Sequence, residues 1–277
     1  MTRDYDSVHI ELDARPHSPS LVRAVIRGVG EAEELDPELL DDVRTAVSEA
    51  CNNVVLHAYA DGHGPMVVEL RLLEDTIEVD VLDRGSGIRR LTPPTGDHMG
   101  VGLSVMAALA DRAQFLDREE GGTEVRLTFR DRHRHPALRG EHDGGCTGPE
   151  PRLTGDLVIT LSAVALLRAV LNPVARGWAA IGRFPLDRIE AVASVAEAVG
   201  ALAVSAGEGP VDIALTDRFP LLELAVGPFA PGSLDGDSAG ALAAISELTE
   251  EMQVQTAGGA EILRVTVSGS PPGPEAA

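Results

Sequence analysis

The chain has 277 residues, enough for two domains of ordinary size, each with its own core. A formal net charge of -21 at pH 7 argues against nucleic acid or an anionic membrane as a partner, because phosphate contacts need clustered basic side chains. The 23 basic residues are all Arg, which excludes a P-loop lysine and a Schiff-base lysine. Without a basic-then-apolar leader or an apolar run of about 18 residues, we expect a soluble, cytoplasmic protein.

The pattern of apolar and polar residues in the first half of the chain predicts strands and helices in alternation. Five strands are predicted, at about 6–14, 65–72, 76–82, 113–117 and 123–129. Three helices are predicted, at about 21–29, 37–60 and 103–112. Because these helices carry apolar stripes, we expect them to cover one face of a mixed, mostly antiparallel sheet. The predicted fold class is α/β (α+β), a two-layer sandwich.

A change of composition ends this first domain, residues 1–130. Residues 131–152 are rich in charged residues, His, Gly and Pro and lack an apolar period, which is typical of a linker. The linker contains side chains that zinc sites use, namely His133, His135, His142 and Cys146. Their irregular spacing and polar surroundings favour a plain linker over a zinc site. With only one other cysteine in the chain, Cys51, a disulfide framework is not expected either.

The second half of the chain repeats the order of features in the first half. A predicted strand at 157–161 matches the first strand, and a predicted helix at 186–206 matches the second helix. Two glycine-containing segments also match, Gly209-Pro210 with Gly64-Pro65 and Gly258-Gly259 with Gly121-Gly122. We interpret residues 153–268 as a second copy of the domain, followed by a disordered tail at 269–277. Two unrelated α/β domains are the alternative interpretation.

Two polar residues on the second predicted helix are candidates for a metal site. Glu49 and Asn53 are four residues apart and therefore lie on the same helix face. A carboxylate and an amide oxygen can hold a hydrated Mg²⁺, which prefers few protein ligands and several waters. A solvated helix face gives the same pattern, so the pair alone does not decide.

Two glycine clusters follow the predicted hairpin. Asp83 ends a strand before Gly85 and Gly87, and a carboxylate there could accept a hydrogen bond from an exocyclic amine such as that of adenine. Gly100 and Gly102 directly precede the third predicted helix, whose N-terminus could bind phosphate. The polar segment between the clusters is long for a connection, which is typical of a lid. Either cluster alone could be an ordinary turn.

Together the three clusters resemble the nucleotide-binding motifs of the GHKL, or Bergerat-fold, ATPase superfamily, which includes histidine kinases and type II topoisomerases. The matches are Glu49 and Asn53 with the N box, 83–87 with the first glycine box and 100–102 with the second. The segment from Glu49 to Tyr59 and the short lid are similar to the anti-sigma-factor serine kinase (RsbW-like) branch. The resemblance covers about residues 5–130 and implies a Bergerat-type fold.

The resemblance also implies a role for each matching residue. Glu49 would be the catalytic general base that acts on a serine hydroxyl of a partner, Asn53 would bind Mg²⁺, and Asp83 would recognise adenine. The other residues of the ATP pocket would be Gly85, Gly87, Gly100, Gly102, Leu103 and Thr123, with 88–99 as the lid. The basic residue often found before the second glycine box is missing, and Arg89 and Arg90 are candidates to replace it.

The second copy lacks matching pocket residues. Glu197 aligns with Glu49, but Gly200 and Ala201 replace the two asparagines of the N box. The segment from Val226 to Phe229 stands where the first copy has its adenine carboxylate. We therefore expect a folded second copy that binds no nucleotide. It would take the place of a partner protomer in an internal pseudo-dimer, with a homodimer of whole chains as the alternative.

The resemblance implies an ATP-binding anti-sigma-factor type regulator. Such a protein sequesters a sigma factor and uses ATP and Mg²⁺ to phosphorylate serine or threonine of an anti-anti-sigma (STAS-type) protein. The acidic surface would suit a basic face of a sigma factor. One alternative is a nucleotide-responsive regulator that binds partners without transferring phosphate. Another is a fragment of a sensor histidine kinase, which is disfavoured because no helix with a phosphoacceptor His precedes the domain.

Overall fold

The computed structural model of the protein describes residues 6–60, 62–86, 99–132, 152–207, 209–234 and 238–270. The chain divides into two compact units, which we call unit 1 (Met1–Glu150) and unit 2 (Pro151–Ala277). Within the described residues, the strands and α-helices of each unit follow the same order along the chain, β-α-α-β-β-α-β-β.

Unit 1 is a two-layer α+β structure. Its strands are β1 (Asp6–Asp13), β2 (Pro65–Leu72), β3 (Thr76–Asp83), β4 (Arg112–Asp117) and β5 (Thr123–Arg130). Its helices are α1 (Ser18–Ala32), α2 (Pro37–Asn53) and α3 (Met99–Leu109). The strand order is β1-β2-β3-β5-β4, and every neighbouring pair is antiparallel. The five predicted strands are confirmed, and the sheet of this unit is antiparallel where the sequence predicts a mixed one.

The core of unit 1 lies between the sheet and helices α1 and α2. Alternate strand residues such as Val68, Val79 and Leu127 are fully buried, as period-2 patterning requires. Cys51 of α2 is also buried and forms no disulfide. Burial raises the pKa of its thiol to about 12, so this cysteine is a core residue and not a reactive one.

The start of α2 is fixed by a cap. The side chain of Asp36 accepts hydrogen bonds from the backbone N–H groups of Glu38 at 3.0 Å and Leu39 at 3.1 Å. An aspartate in this position satisfies donors that have no partner inside the helix. The cap therefore fixes where α2 begins, while its buried residues, such as Val43 and Val47, determine which face packs on the core.

The end of α2 differs from the sequence prediction. A regular helix is predicted to about residue 60, but α2 ends at Asn53 and a single π-helical turn, Val54–Ala58, follows. The carbonyl of Ala58 accepts a hydrogen bond from the N–H of Ser86 at 3.0 Å. This contact with a distant loop lies outside the reach of local propensity, and π-turns of this kind are frequent at functional sites.

Unit 2 has the same arrangement of strands and helices. Its strands are β6 (Leu157–Leu161), β7 (Val211–Arg218), β8 (Leu221–Phe229), β9 (Glu251–Ala257) and β10 (Ala260–Ser268). Its helices are α4 (Leu167–Ile181), α5 (Leu186–Ala206) and α6 (Ala239–Leu248). The strand order is β6-β7-β8-β10-β9, again antiparallel between neighbours. This is the strand order of unit 1, taken element by element.

Two segments of unit 2 are long and apolar enough to cross a membrane by length and composition alone, Val164–Ile181 and Leu186–Ala206. Both bury an apolar face inside the unit, with Leu171 and Val174 on the first and Val195 on the second essentially inaccessible. Helices at the centre of a protein core meet the same criteria, so we assign these segments as core helices.

Candidate functional site

Glu49 and Asn53 lie on the face of α2 that meets the first turn of α3. Both side chains are partly buried. A Cβ atom at Gly102 of α3 would lie 3.0 Å from Glu49 Oε2 and 3.6 Å from Asn53 Oδ1. The two oxygens therefore converge on one point of the α3 backbone, and glycine leaves room for them there. The structure brings together the N box and the second glycine box.

The position of the second glycine box corrects the sequence prediction. Gly100 and Gly102 lie inside the first turn of α3, not before it. Glycine normally disfavours a helix interior, but the approach of Glu49 to Gly102 leaves little space for a side chain. The first four N–H groups of an α-helix, up to that of its third residue, lack partners inside the helix, so the amide of Gly100 remains able to bind an anion. Gly102 is the fourth residue, and its contribution is the space that its missing side chain leaves. Leu103 follows in the same helix and is partly buried.

Asp83 is the last residue of β3 and is only 4% exposed. Its Oδ1 accepts a hydrogen bond from the N–H of Gly85 at 2.7 Å, and Thr123 at the start of β5 also donates to the carboxylate. Burial raises the pKa of Asp83, and the hydrogen bonds from Gly85 and Thr123 oppose that rise. A buried carboxylate held in this way can accept a hydrogen bond from an amine without competition from bulk water.

Two glycines hold the backbone around Asp83 in close contact. A Cβ at Gly122, where φ is +92°, would lie 2.0 Å from the carbonyl oxygen of Asp83. A Cβ at Gly85 would lie 2.2 Å from the carbonyl oxygen of Ala58. Because both neighbours are backbone atoms, neither can move aside cheaply. The first glycine box is therefore packed against the π-turn that extends α2.

Tyr59 belongs to this site, although the sequence pattern gives it no role of its own. Its hydroxyl donates a hydrogen bond to the carbonyl of Pro65 at 2.6 Å and accepts one from the N–H of Arg84 at 2.9 Å. Arg84 lies directly between Asp83 and Gly85. The only local signal is a tyrosine between a helix and a Gly-Pro pair, and that signal does not indicate the contact with Arg84.

Several predicted residues lie outside the part of the chain that the structure describes. These are Gly87, the lid up to residue 98 with Arg89 and Arg90, and the linker residues His133, His135, His142 and Cys146. Among the described residues, no group of three or more His, Cys, Asp or Glu side chains is arranged to hold a metal ion. Glu49 with Asn53 is a smaller set, of the oxygen type that Mg²⁺ accepts when waters complete its shell.

The strand register of unit 2 places Pro228, and not Gly227, in the position that Asp83 has in unit 1. In unit 1, Val81 of β3 lies opposite Val68 of β2 and Val125 of β5. In unit 2, Val226 of β8 lies opposite Ile213 of β7 and Leu263 of β10, so Val226 is the equivalent of Val81. Two residues further along β3 is Asp83, and two residues further along β8 is Pro228. The sequence alignment is therefore wrong by one residue here, and the corrected position, like the predicted one, has no carboxylate.

The position of Glu197 in unit 2 also corrects the alignment. Its carboxylate pairs with Arg168 of α4. In unit 1 the corresponding contact joins Arg23 of α1 to Ser48, at 3.5 Å. Glu197 therefore corresponds to Ser48, and Ala198 falls where unit 1 has Glu49. The alignment is wrong by one residue because only the contacts between helices fix their relative phase.

The comparisons with known proteins agree with the arrangement of unit 1. Residues 12–129 match the family model of the histidine kinase-like ATPase domain. A serine-protein kinase RsbW from Bacillus velezensis is 30% identical over 142 residues, which is 46% of this chain and 88% of that protein. An anti-sigma F factor from Caldanaerobacter subterraneus is 30% identical over 126 residues, 42% of this chain and 87% of that protein.

A crystal structure of the RsbU and RsbW domains of a Mycobacterium tuberculosis protein is also similar, with 30% sequence identity. The match covers 45% of this chain and 32% of that one, with a TM-score of 0.37. A TM-score this low is no evidence for a shared overall fold, so the assignment depends on the family model and the sequence relatives. On those grounds the chain belongs to the histidine kinase-like ATPase family, in the branch of the RsbW serine-protein kinases and the anti-sigma F factors.

Proposed function

We propose that the protein is an ATP-binding anti-sigma-factor type regulator and a serine/threonine kinase. It sequesters a sigma factor and phosphorylates an anti-anti-sigma protein of the STAS type, in the cytoplasm and without direct contact with nucleic acid or membrane. The names of its relatives support this function. The observation that carries it is the convergence of Glu49 and Asn53 on Gly102, at the N-terminus of α3.

In this proposal each part of unit 1 has one task. Asp83 accepts a hydrogen bond from the exocyclic amine of adenine, and Gly85, Gly87 and Thr123 line the base. The N-terminal amides of α3, including that of Gly100, bind the phosphates, and Gly102 gives the phosphates room to approach the helix backbone. Asn53 would hold Mg²⁺, which would neutralise phosphate charge. Phosphoryl transfer depends mainly on positioning and charge stabilisation, so this small set is sufficient.

Glu49 has the place of the general base. Its Oε2 reaches the first turn of α3, where the terminal phosphate would be bound. From there it can take the proton of a partner's serine hydroxyl as that oxygen attacks phosphorus. The three atoms nearest to a Cβ at Gly102 all belong to Glu49 and Asn53, and Glu49 supplies the carboxylate among them.

The kinase activity can be tested directly. We expect that the protein, labelled ATP, Mg²⁺ and a STAS-type anti-anti-sigma protein together yield phosphoserine or phosphothreonine on the STAS protein. Omission of Mg²⁺ should abolish the labelling, because no cation is then held at Asn53 to neutralise the charge of the phosphates. ATP-dependent complex formation without any label would contradict the kinase and favour the alternative, a nucleotide-responsive binding protein.

We also propose that unit 2 is a second copy of the domain that binds no nucleotide. Its identical order of strands and helices supports the duplication. One of its buried carboxylates, Glu261 on β10, already has partners: Oε1 accepts from the N–H of Gly232 at 2.8 Å and Oε2 from that of Leu234 at 3.1 Å. Leu234 itself is 1% exposed. The chain after β8 therefore supplies the donors that a nucleobase amine would otherwise offer.

Calorimetry should give one ATP bound per chain, at unit 1, because Pro228 stands where unit 1 has Asp83 and the carboxylate of Glu261 already accepts two hydrogen bonds. In the proposed internal pseudo-dimer, unit 2 takes the place of a partner protomer, so light scattering should give the mass of a single chain, 29.1 kDa. Two ATP molecules per chain would contradict the loss of the second site. A tight homodimer built through unit 1 would contradict the pseudo-dimer and favour the homodimer.

A further inference from the structure

Tyr59 lies where strands β2 and β3 stop pairing. The last pair of their ladder is Met66 with Asp83. One more step of the same register would place Pro65 opposite Arg84. At that step the Tyr59 hydroxyl donates to the Pro65 carbonyl at 2.6 Å and accepts from the Arg84 N–H at 2.9 Å. A side-chain hydroxyl therefore stands in the place of the next ladder hydrogen bond.

The residues around Tyr59 make this insertion possible. Pro65 has no N–H, so a pair with Arg84 could form only one ladder hydrogen bond, from the Arg84 N–H to the Pro65 carbonyl. The hydroxyl of Tyr59 instead bonds to both groups, to the Arg84 N–H as acceptor and to the Pro65 carbonyl as donor. Its ring lies against Gly64, where a Cβ would be only 2.2 Å from Tyr59 Cε1. The hydrogen-bond ladder between β2 and β3 thus ends after Asp83 because of the combined arrangement of Gly64, Pro65 and Tyr59.

The end of the ladder determines the shape of the first glycine box. Immediately after it, the N–H of Gly85 turns back to the Asp83 carboxylate at 2.7 Å, and the N–H of Ser86 bonds to Ala58, the neighbour of Tyr59. Tyr59 directly follows the π-turn that extends α2. The segment that carries Glu49 and Asn53 is therefore connected through Tyr59 to the segment that carries Asp83.

We propose that Tyr59 is a positioning residue for ATP binding, whose hydroxyl holds the Arg84 backbone away from β2 and so orients the Asp83 carboxylate towards adenine. The proposal rests on the proposed function of unit 1. Tyr59 acts through Asp83 and takes no part in phosphoryl transfer, so its removal should weaken binding without slowing the transfer step.

The variant Tyr59→Phe tests this, because it keeps the ring against Gly64 and removes only the hydroxyl. Loss of two net hydrogen bonds at the pocket wall should raise the Kd for ATP and the KM for ATP about tenfold. The kcat at saturating ATP should stay within about twofold of the wild type. A general loss of structure would instead lower kcat, because less of the protein would be active. The control Ser194→Ala removes a hydroxyl that bonds to Glu190 in α5 of unit 2 and should change neither constant.

The outcomes separate this proposal from the one it rests on. If the wild type binds ATP and Tyr59→Phe binds it within twofold, the role of Tyr59 is overturned and the ATP site stands. If the wild type binds no ATP, both are overturned. If circular dichroism shows that Tyr59→Phe does not fold, the variant Gly64→Ala tests the role of Tyr59 instead. Its added methyl group displaces the Tyr59 ring and keeps the hydroxyl. It should weaken ATP binding by a similar factor, and an unchanged Kd would overturn the proposal.

Discussion

The variant Asp83→Asn should bind ATP at least about 100-fold more weakly than the wild type while its fold stays intact, since a charge-assisted hydrogen bond is lost and an amide donor now faces the adenine amine. The asparagine oxygen can still accept the hydrogen bond from Gly85 at the turn. Calorimetric titration with ATP and Mg²⁺ measures the loss. Unchanged affinity would show that Asp83 does not contact the base.

The same variant should be more stable than the wild type at neutral pH. Burial raises the pKa of Asp83 above its ordinary value of 3.8, so the folded state binds this proton more tightly than the unfolded chain does. The contribution of Asp83 to stability is therefore fully present below pH 3.8 and is lost as the pH rises through the higher pKa of the folded state. Thermal unfolding at pH 7 should show a higher Tm for Asp83→Asn, and the gain should disappear near pH 4.

Asp80 provides a matched control for this prediction. It lies on the same strand and is also buried, but its carboxylate forms ion pairs with Arg71 and with Arg126, the latter at 2.8 Å. Asp80→Asn removes the buried carboxylate that both cations share, while Arg71 keeps its ion pairs with Glu69 and Glu78 and Arg126 keeps its pair with Glu124. The variant should lower the stability by about 1–3 kcal/mol, with ATP affinity nearly unchanged. If both variants lower the Tm equally, Asp83 is an ordinary structural carboxylate and not a binding residue held at a cost in stability.

The variant Glu49→Gln should lose phosphoryl transfer and keep ATP binding. Glutamine has nearly the same shape as glutamate and fits beside Gly102, but it cannot accept a proton from the attacking hydroxyl. Removal of a general base typically lowers the rate by about 10²–10⁴-fold. Single-turnover transfer of label from ATP to the STAS protein, with saturating ATP, measures this factor apart from binding.

The control for Glu49 is Glu38→Gln, on an exposed residue in the first turn of the same helix. It removes one carboxylate from α2 at the end of the helix opposite to the proposed phosphate site. The transfer rate should stay within about twofold, since an exposed charge at a helix end changes the stability of the helix by less than about 1 kcal/mol. A full transfer rate in Glu49→Gln would rule out its role as base. Loss of ATP binding in that variant would instead assign Glu49 to the pocket wall.

Much of unit 1 can be predicted from the sequence because its signals are local. Alternation of apolar residues identifies the strands, and the apolar spacing identifies α2 and the common face of Glu49 and Asn53. The contact of these residues with Gly102 is also implied by the resemblance of the three motifs. In contrast, the start of α3 is missed because two glycines in its first turn read as a loop, although they are there for close approach to α2.

The remaining differences come from contacts between segments far apart in the chain. The π-turn bonds to Ser86, and the Tyr59 hydroxyl contacts Arg84 across 25 positions of sequence. In unit 2, a shift of one residue changes whether Glu197 or Ala198 stands at the site. A sequence alignment contains no information on such a shift, whereas the ion pair with Arg168 fixes it.

The hydrogen bonds from Gly232 and Leu234 to Glu261 have a consequence for how the whole chain would respond to nucleotide. A dimer with two equivalent sites can respond cooperatively, since occupation of one site can alter the affinity of the other. In the proposed monomer only unit 1 binds nucleotide, so the chain would have no second site whose affinity could change. The fraction of chains with bound ATP would then rise as a simple hyperbola with ATP concentration. The response to the cellular ATP level would be gradual and not switch-like.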